Sequence, residues 1–355
     1  MLWTPPVAAT EFCVSTAMEL QSALLQAQSN GQPDKIRIER GHYSTAENGI
    51  RGLGFSYSSI ENLSLTITGG YAEGCLGFRG SGDAFTTVLD GGNVHRVLAI
   101  LAGDSNAMVS VSNLTIQSGY IYSNELPGGG LLIKGFGDDA PAQRVNIDRV
   151  AFIGNESAAG ISALMIESQG RVDISNNLFH DNTVNSLYTA AVDRGPGSSA
   201  ATYFINNTVV NNTTLNNDGI AGVWLKNTSG SGNVAANNVF WNNNGISDLV
   251  MSGPVGNISN NHMLHNIIQN PLGLGGTNIG NSTTNPLLDI DFSLLQDSPA
   301  RDTGFTPPDN PLNPPLELDW DPGLFDIGFG LRVLGPSVDR GAFEYRDQIF
   351  ADSFE

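Results

Sequence analysis

Charged residues are scarce in this 355-residue chain, at 14% of the total, and basic residues are the scarcer kind, with 16 Lys and Arg against 35 Asp and Glu. The net charge of -19 would repel a phosphate backbone, which argues against nucleic acid as a partner. No stretch approaches the roughly 20 consecutive apolar residues of a membrane-spanning helix. The sequence therefore predicts no transmembrane segment, while a hydrophobic content of 40% is enough for a continuous core.

Cysteine is nearly absent, and Cys13 and Cys75 are the only two. They flank the first predicted strands, and in an exported protein such a pair favours a disulfide that closes the N-terminal end. The alternative is two buried thiols in a cytosolic chain. Residues 1–9 lack the basic start and the apolar length of an intact signal peptide, although Val7-Ala8-Ala9 resembles the end of one, which suggests a trimmed leader.

Signatures of metal and nucleophilic catalysis are also missing. His262 and His265 would point to opposite faces of a strand, so no zinc site is predicted. No serine has the strand–turn–helix setting of a nucleophile elbow. Gly128-Gly129-Gly130 precedes a predicted strand instead of opening a helix, so it is not a phosphate loop. The sequence predicts no cofactor.

A short asparagine-rich motif recurs in the middle of the chain. The Asn pairs of successive copies are 30, 31 and 23 residues apart, as in a repeat protein. If each repeat is one turn of a coil with strands ~4.8 Å apart, like amides stack and form hydrogen-bonded ladders. The first predicted ladder contains Asn177, Asn207, Asn238 and Asn261. The second contains Asn155, Asn182, Asn212, Asn243 and Asn266.

The predicted fold is all-β: a single-stranded parallel β-helix, or solenoid, with an N-terminal amphipathic capping helix and an irregular C-terminal cap. Asn, Gly, Val and Thr are poor helix formers, and the apolar residues alternate instead of recurring at three and four. Propeller blades would need about 40 residues each. We divide the chain into residues 1–46 (leader remnant and capping helix), 47–285 (parallel β-helix), 286–345 (C-terminal anchor-type cap) and 346–355 (tail).

The two ends of the chain differ in pattern from the middle. Thr16 and Glu19 form a capping box before apolar residues at helical spacing, so residues 16–29 are predicted to be a helix that covers the first coil. Early strands are predicted at 36–38, 63–68, 86–90 and 96–101, with turns at Gly69-Gly70 and Gly91-Gly92. Beyond residue 269 proline and aspartate become frequent, and strands are predicted at 331–334 and 342–345.

Five C-terminal motifs resemble the choice-of-anchor Q region that ends exported bacterial right-handed β-helix proteins of the pectin-lyase-like superfamily. They are Asn285-Pro-Leu-Leu288, Asp291-Phe-Ser-Leu294, Ser298-Pro-Ala-Arg-Asp-Thr-Gly304, Arg332-Val-Leu-Gly335 and Val338-Asp-Arg-Gly-Ala-Phe-Glu344. Residues 20–43, 69–71 and 88–91 are similar to the N-terminal coils of that group, and residues 349–355 are similar to an ending of exported Gram-negative proteins. Arg340 departs from the pattern, in which isoleucine is usual. The resemblance implies a right-handed coil and secretion or surface attachment in a Gram-negative bacterium, but no particular reaction.

Five aligned strands predict two outward columns of side chains. The residues expected to point into the core are Ile133, Ile166, Val192, Leu225 and Met251, and alternation directs the residues on either side of each outward. The apolar lane contains Leu132, Met165, Ala191, Trp224 and Val250. The charged lane contains Lys134, Glu167, Asp193, Lys226 and Ser252. Because Trp offers a flat face and ions can bind hydroxyls or carboxylates, Lys134, Met165, Trp224 and Lys226 are the predicted ligand-binding residues.

Two acidic residues of the charged lane suggest a catalytic alternative. Glu167 and Asp193 would lie one coil apart, near the ~5 Å carboxyl separation of retaining glycosidases, and their repulsion would raise one pKa. Asp193-Arg194-Gly195-Pro196 resembles the Arg-x-Pro element of pectate lyases, whose arginine is the base. Glu167, Asp193 and Arg194 are the candidate catalytic residues. The simpler interpretation is a Lys–carboxylate–carboxylate–Lys ladder that neutralises itself.

A Ca2+ site is not favoured. Ca2+ prefers six to eight oxygen ligands, and besides Glu167 and Asp193 only the turn pair Asp138-Asp139 is nearby. Asp319 and Asp321 in the C-terminal cap are the weaker candidates for Ca2+ binding, and Asx turns are the favoured explanation for both. The polygalacturonase motifs Asn-Thr-Asp, Gly-His-Gly and Arg-Ile-Lys are absent.

These observations favour a secreted or cell-surface protein, a monomer, that binds polysaccharide or mediates adhesion through the two lanes. The alternative is a polysaccharide lyase or glycoside hydrolase that uses Glu167, Asp193 and Arg194. The two hypotheses differ in one observable: these three side chains either converge in an open groove or are paired and covered.

Overall fold

The computed structural model describes most of the chain. The described residues are 9–49, 53–76, 83–102, 108–122, 125–135, 143–158, 160–185, 187–194, 200–216, 219–227, 232–253, 259–273, 275–306 and 320–346. They form one α-helix, two short 3-10 helices and 27 strands. None of their helices is long and apolar enough to cross a membrane.

The helix and strands are numbered in chain order. Helix α1 is Ala17–Ala27, and the 3-10 helices are Thr45–Glu47 and Glu73–Cys75. The strands are β1 (Thr10–Val14), β2 (Asp34–Glu39), β3 (Gly41–Ser44), β4 (Phe55–Ser59), β5 (Leu65–Tyr71), β6 (Thr87–Asp90), β7 (Leu98–Ala102), β8 (Met108–Gln117), β9 (Tyr120–Ile121), β10 (Leu131–Gly135), β11 (Arg144–Ile153), β12 (Glu156–Ser157), β13 (Ile161–Glu167), β14 (Arg171–Ser175), β15 (Leu178–His180), β16 (Thr183–Val184), β17 (Tyr188–Arg194), β18 (Thr202–Ile205), β19 (Thr208–Val210), β20 (Thr213–Thr214), β21 (Val223–Asn227), β22 (Asn233–Ala236), β23 (Val239–Trp241), β24 (Leu249–Ser252), β25 (Asn261–Leu264), β26 (Pro271–Leu272) and β27 (Asn278–Ile279).

Three parallel sheets run along the molecule. The largest sheet has the order β1-β2-β5-β8-β11-β14-β18-β22-β25-β27, with β3, β6, β15, β19 and β23 alongside. The second sheet has the order β26-β24-β21-β17-β13-β10-β7-β4. The third sheet has the order β20-β16-β12-β9. Each middle coil contributes strands to all three sheets and pairs in parallel with the next coil. This arrangement confirms the parallel β-helix, whereas its right-handedness and the domain boundaries stay predictions.

The core is a continuous column of inward side chains. Ile133, Ile166, Val192, Leu225 and Met251 stand in register and are at most 1% exposed, as predicted. A stack of aromatic rings from successive coils fills another part of the interior. Its members are Phe152, Phe179, Phe204 and Phe240, with centroids 4.8, 6.1 and 6.0 Å apart along the series. Each such ring pair adds about 1 kcal/mol to the gain from burial alone.

Two asparagine ladders run through the coils. In the first, Asn177, Asn207, Asn238, Asn266 and Asn281 each accept, at Oδ1, the backbone N–H of the corresponding residue one coil earlier. In the second, the same bond links Gly119, Asn155, Asn182, Asn212 and Asn243. The members of both ladders up to Asn238 and Asn243 are those predicted.

The last predicted member of each ladder was wrong. Asn266 continues the first ladder and not the second, because Asn238 bonds to it. Asn261 belongs to neither ladder; it lies opposite Asn233 on neighbouring strands and accepts from its amide at 2.9 Å. Asn261 opens β25 and lies five residues before Asn266, the ladder residue of its coil, so the repeated Asn260-Asn261 pair falls at a different point on the coil.

The N-terminal end is closed as predicted. Helix α1 begins after Thr16, whose hydroxyl accepts the N–H of Glu19, while the Glu19 carboxylate accepts the N–H of Ser15. The Cys13–Cys75 disulfide is present and ties β1 to the second 3-10 helix. The predicted turn at Gly69-Gly70 was wrong, since both residues lie in β5 where its register with β2 is irregular.

The C-terminal segment, defined as residues 283–306 and 320–346, is irregular and lies against the outer face of the largest sheet. Trp320 clusters with Tyr203 and Val234 of that face. Ile327 and Ala342 cluster with residues of earlier strands. The predicted strands at 331–334 and 342–345 were wrong, because residues 320–346 form only an isolated bridge between Phe325 and Leu331.

Candidate functional site

The two predicted lanes exist as continuous columns on the outer side of the second sheet. Strands β10, β13, β17, β21 and β24 align Leu132, Met165, Ala191, Trp224 and Val250 in one column. The same register aligns Lys134, Glu167, Asp193, Lys226 and Ser252 in the other. Because strand periodicity is two, the columns flank the inward column and face the same side.

The charged lane consists of two ion pairs placed end to end. Lys134 Nζ lies 2.5 Å from Glu167 Oε2, and Lys226 Nζ lies 2.7 Å from Asp193 Oδ2. The four side chains keep between 27% and 32% exposure, so water still screens the pairs. Each carboxylate faces the other on one side and its own lysine on the other. The arrangement is the self-neutralising Lys–carboxylate–carboxylate–Lys ladder.

Most of the apolar lane is covered. Leu132 is 1% exposed, Met165 5% and Ala191 0%, and they form a cluster with Ile161. Met165 therefore does not reach solvent as a ligand-binding residue would. These side chains pack against one another and against Leu101 and Tyr188, a coverage that alternation within the strands does not predict.

The lane is accessible at Trp224, which is half-buried and held from three sides. The Tyr188 ring stacks on the indole with centroids 5.0 Å apart, Lys226 Nζ lies 5.3 Å from the Trp224 ring centroid, and Trp224 Nε1 donates to Ser252 Oγ at 3.1 Å. These contacts fix the indole plane before any ligand arrives, which lowers the entropic cost of binding. Trp224, Tyr188, Lys226 and Asp193 form what we call the Trp224 platform.

Tyr188 was missed by sequence reasoning. It begins the same strand that carries Asp193, and the register of β17 with β13 shifts between Ile161 and Leu164. Its ring stacks on Trp224 of the next coil, although the strand register sets Ala191 opposite Trp224. An aromatic residue at the start of an aligned strand was the one available signal.

Arg194 lies on the other side of its strand from Asp193. It is 0% exposed, and burial lowers the pKa of its guanidinium to about 10, against the opposing influence of the nearby Tyr203. The three candidate catalytic residues do not converge: Glu167 and Asp193 are each paired with lysine in the charged lane, and Arg194 faces the interior. Pro196 of the Arg-x-Pro element lies outside the described residues.

No metal centre is assembled among the described residues. Their one group of three or more close metal-binding side chains is Cys13, Glu39 and Cys75, and the two sulfurs are already joined to each other. Asp321 accepts the N–H of Gly323 at 2.8 Å, which is an Asx turn. Asp138, Asp139 and Asp319 lie outside the described residues.

Comparison of the chain with protein-family models, with curated proteins and with solved structures finds no match.

Proposed function

We propose that this chain is an exported β-helix protein of the pectin-lyase-like type, with a choice-of-anchor Q type C-terminal region, that binds polysaccharide or mediates adhesion at the Trp224 platform. The disulfide supports an oxidising compartment outside the cytosol. The C-terminal motifs support surface attachment.

The observation that carries the binding proposal is the pairing of a fixed indole with a charged lane. A sugar ring presents an apolar face to stack on Trp224 and hydroxyls around its rim that hydrogen-bond to ions. Lys226 and Asp193 stand beside the indole and retain about a third of their exposure. The coil axis extends the lane past the platform, which suits a linear chain of sugars.

The same contacts argue for binding without cleavage. An acid/base pair needs one carboxyl held protonated by its surroundings, whereas each carboxylate here is ion-paired with a lysine of its own. Arg194, the candidate base, is buried on the opposite face. No observation in the described residues favours the lyase or glycosidase alternative.

Affinity electrophoresis against a panel of neutral and acidic polysaccharides tests the proposal. The expected result is retardation by at least one polysaccharide, with affinity reduced about tenfold in Trp224→Ala because the stacking face is removed. Tyr122→Ala is the matched control, since Tyr122 is 52% exposed and lies outside the two lanes; its affinity should equal that of the wild type.

Retardation that is unchanged in Trp224→Ala would contradict the platform as the binding site. Release of reducing ends or unsaturated sugars by the wild type, lost in Asp193→Asn, would support the enzyme alternative instead.

A further inference from the structure

The two ends of the coil stack differ, because a helix covers the N-terminal end and no helix covers the last described strands at the C-terminal end. At the N-terminal end, Gln21 of α1 donates to Ser56 O at 3.0 Å and accepts from Ser56 N at 2.9 Å, so a helix side chain occupies the edge of β4. At the C-terminal end, β26 and β27 are the last strands of their sheets, and no strand in the described part of the chain pairs with their outer edges. An unpaired edge is a template for another strand.

The asparagine ladder stops at the same place. Asn281 accepts the N–H of Asn266 and completes the series, and among the described residues no later asparagine accepts from Asn281 in turn. Every coil but this one has a following coil that binds its outward backbone groups. The last coil therefore presents the same kinds of group, backbone N–H and C=O and asparagine amides, that join neighbouring coils elsewhere in the molecule.

The C-terminal end also carries no charge. Residues 249–288 contain no Asp, Glu, Lys or Arg, although the chain averages 14% charged and a stretch of this length would be expected to carry several. Natural sheets commonly protect an edge with charged residues, lysine above all. In a protein of net charge -19, a long stretch without charged residues lowers the repulsion between two copies that meet there.

We propose that the C-terminal coil is a dimer interface, at which two copies of this chain meet end to end. A two-fold axis across the coil stack sets the outer edge of one copy's last coil against that of the other, antiparallel, so that each supplies the N–H and C=O groups the other needs. Head-to-tail stacking is disfavoured in the second sheet, because Gln21 of α1 occupies the edge of β4 at the opposite end. Ile279, 46% exposed on β27, lies at this contact. The interface goes beyond the Trp224 platform and replaces the monomer expected from sequence.

Sedimentation velocity over a concentration series tests the interface. The wild type is expected to show a reversible monomer–dimer equilibrium, and Ile279→Lys is expected to raise the dimer dissociation constant at least about tenfold, because two ammonium groups would face each other across the axis. Ile60→Lys is the matched control: it is the same change at a 93% exposed position at the N-terminal end. It should leave the equilibrium unchanged.

Cysteine crosslinking gives an independent readout that does not depend on charge. The chain's only cysteines are joined in one disulfide, so a single new cysteine is the only free thiol. Among Thr277→Cys, Asn278→Cys and Ile279→Cys, at least one should form a disulfide-linked dimer on mild oxidation, whereas Ser58→Cys near the N-terminal end should not. A monomer at every concentration, or a dimer that none of the three positions crosslinks and Ile279→Lys leaves intact, would overturn the proposal.

Discussion

Two adjacent asparagines in each middle coil meet two different physical demands. The first adopts a left-handed backbone, with φ of 58° at Asn176, 55° at Asn206 and 56° at Asn237. Asparagine tolerates this region better than most residues because its short side chain bonds locally. The second asparagine supplies the ladder amide. Each pair therefore turns the chain and joins it to the next coil at the same point.

Asn207 illustrates how much depends on one amide. Its Nδ2 donates to Ile174 O at 2.9 Å and to Asn238 Oδ1 at 3.1 Å, while its Oδ1 accepts from the backbone and side chain of Asn177. We expect Asn207→Ala to lower the free energy of unfolding by about 3 kcal/mol, because several buried groups lose their partners at once. Chemical denaturation measures the loss.

Asn185→Ala provides the comparison for Asn207→Ala. Asn185 is exposed, and removing its amide should change the free energy of unfolding by less than about 0.5 kcal/mol. Equal losses in the two variants would mean that the ladder does not hold the coils together.

For individual side chains, the sequence was enough to predict most of the strand register. It was not enough to predict which outward side chains are buried. The inward column and both lanes follow from alternation, which fixes the direction of each side chain once the strands are aligned. The burial of Met165 and Arg194 depends on what packs against them from outside their own strands, which alternation does not describe. Asn261 was misplaced because its Asn pair stands at the start of β25, whereas the earlier pairs stand where a strand of the same sheet ends.

Among the elements, α1 shows how a helix can end a sheet. Gln21 is 1% exposed, and its side-chain amide presents a donor and an acceptor in the positions that a further strand would supply to Ser56. The apolar face of the helix, including Leu20 and Leu24, covers the first coil of the core. The helix thus hydrogen-bonds to the edge of β4 and also covers the apolar side chains of the first coil.

We expect Gln21→Ala to lower the free energy of unfolding by about 2 kcal/mol, because Ser56 would be left with an unpaired N–H and C=O in a partly buried position. Hydrogen exchange at the Ser56 amide should become faster in the same variant. Gln26→Ala, an exposed glutamine of the same helix, should change neither quantity. Unchanged exchange at Ser56 in Gln21→Ala would show that the helix closes the sheet by packing alone.

The wrong strand predictions in the C-terminal segment have a common cause. Residues 331–334 and 342–345 alternate in the manner of strands, but a strand also requires a neighbouring edge with which to pair. The segment lies across the face of a sheet whose backbone groups are already paired. It is held instead by side-chain bonds such as that from the Thr208 hydroxyl, which accepts the N–H of Ala342.

On the scale of the whole molecule, buried carboxylates organise the C-terminal segment. Asp339 accepts the N–H groups of Asp302 and Tyr345, and Glu344 accepts those of Leu334 and Asp339. Arg332, 1% exposed, donates to the carbonyl oxygens of Asp339 and Gly341. Burial raises the pKa of Glu344 to about 7, although the charge of Arg332 opposes the rise, and burial also raises the pKa of Asp339.

This raised pKa predicts a pH dependence of stability. Because the pKa of Glu344 is higher in the folded protein than its ordinary value of 4.5, the folded state binds more protons between about pH 4.5 and 7. The free energy of unfolding should therefore decrease as pH rises through that window, by about 2–3 kcal/mol from this group. Glu344→Gln should remove that decrease, as measured by denaturation at pH 5 and pH 8.

The exposed Glu47 provides the control for this pH effect. Glu47→Gln should keep the decrease between pH 5 and pH 8 seen in the wild type. A Glu344→Gln variant with the same decrease as the wild type would show that Glu344 is not its source.

The course of the C-terminal segment also limits how this molecule can change in length. Simple solenoids gain or lose a repeat with little penalty, because each coil contacts only its neighbours. Here the segment bonds to Ala84, Asn176 and Asn237, which lie at different heights along the stack. Inserting or deleting one coil would shift these points relative to one another by ~4.8 Å. The segment thus fixes the number of coils between these contacts. We expect duplication of a coil between Asn176 and Asn237 to be tolerated only if the segment is lengthened to match.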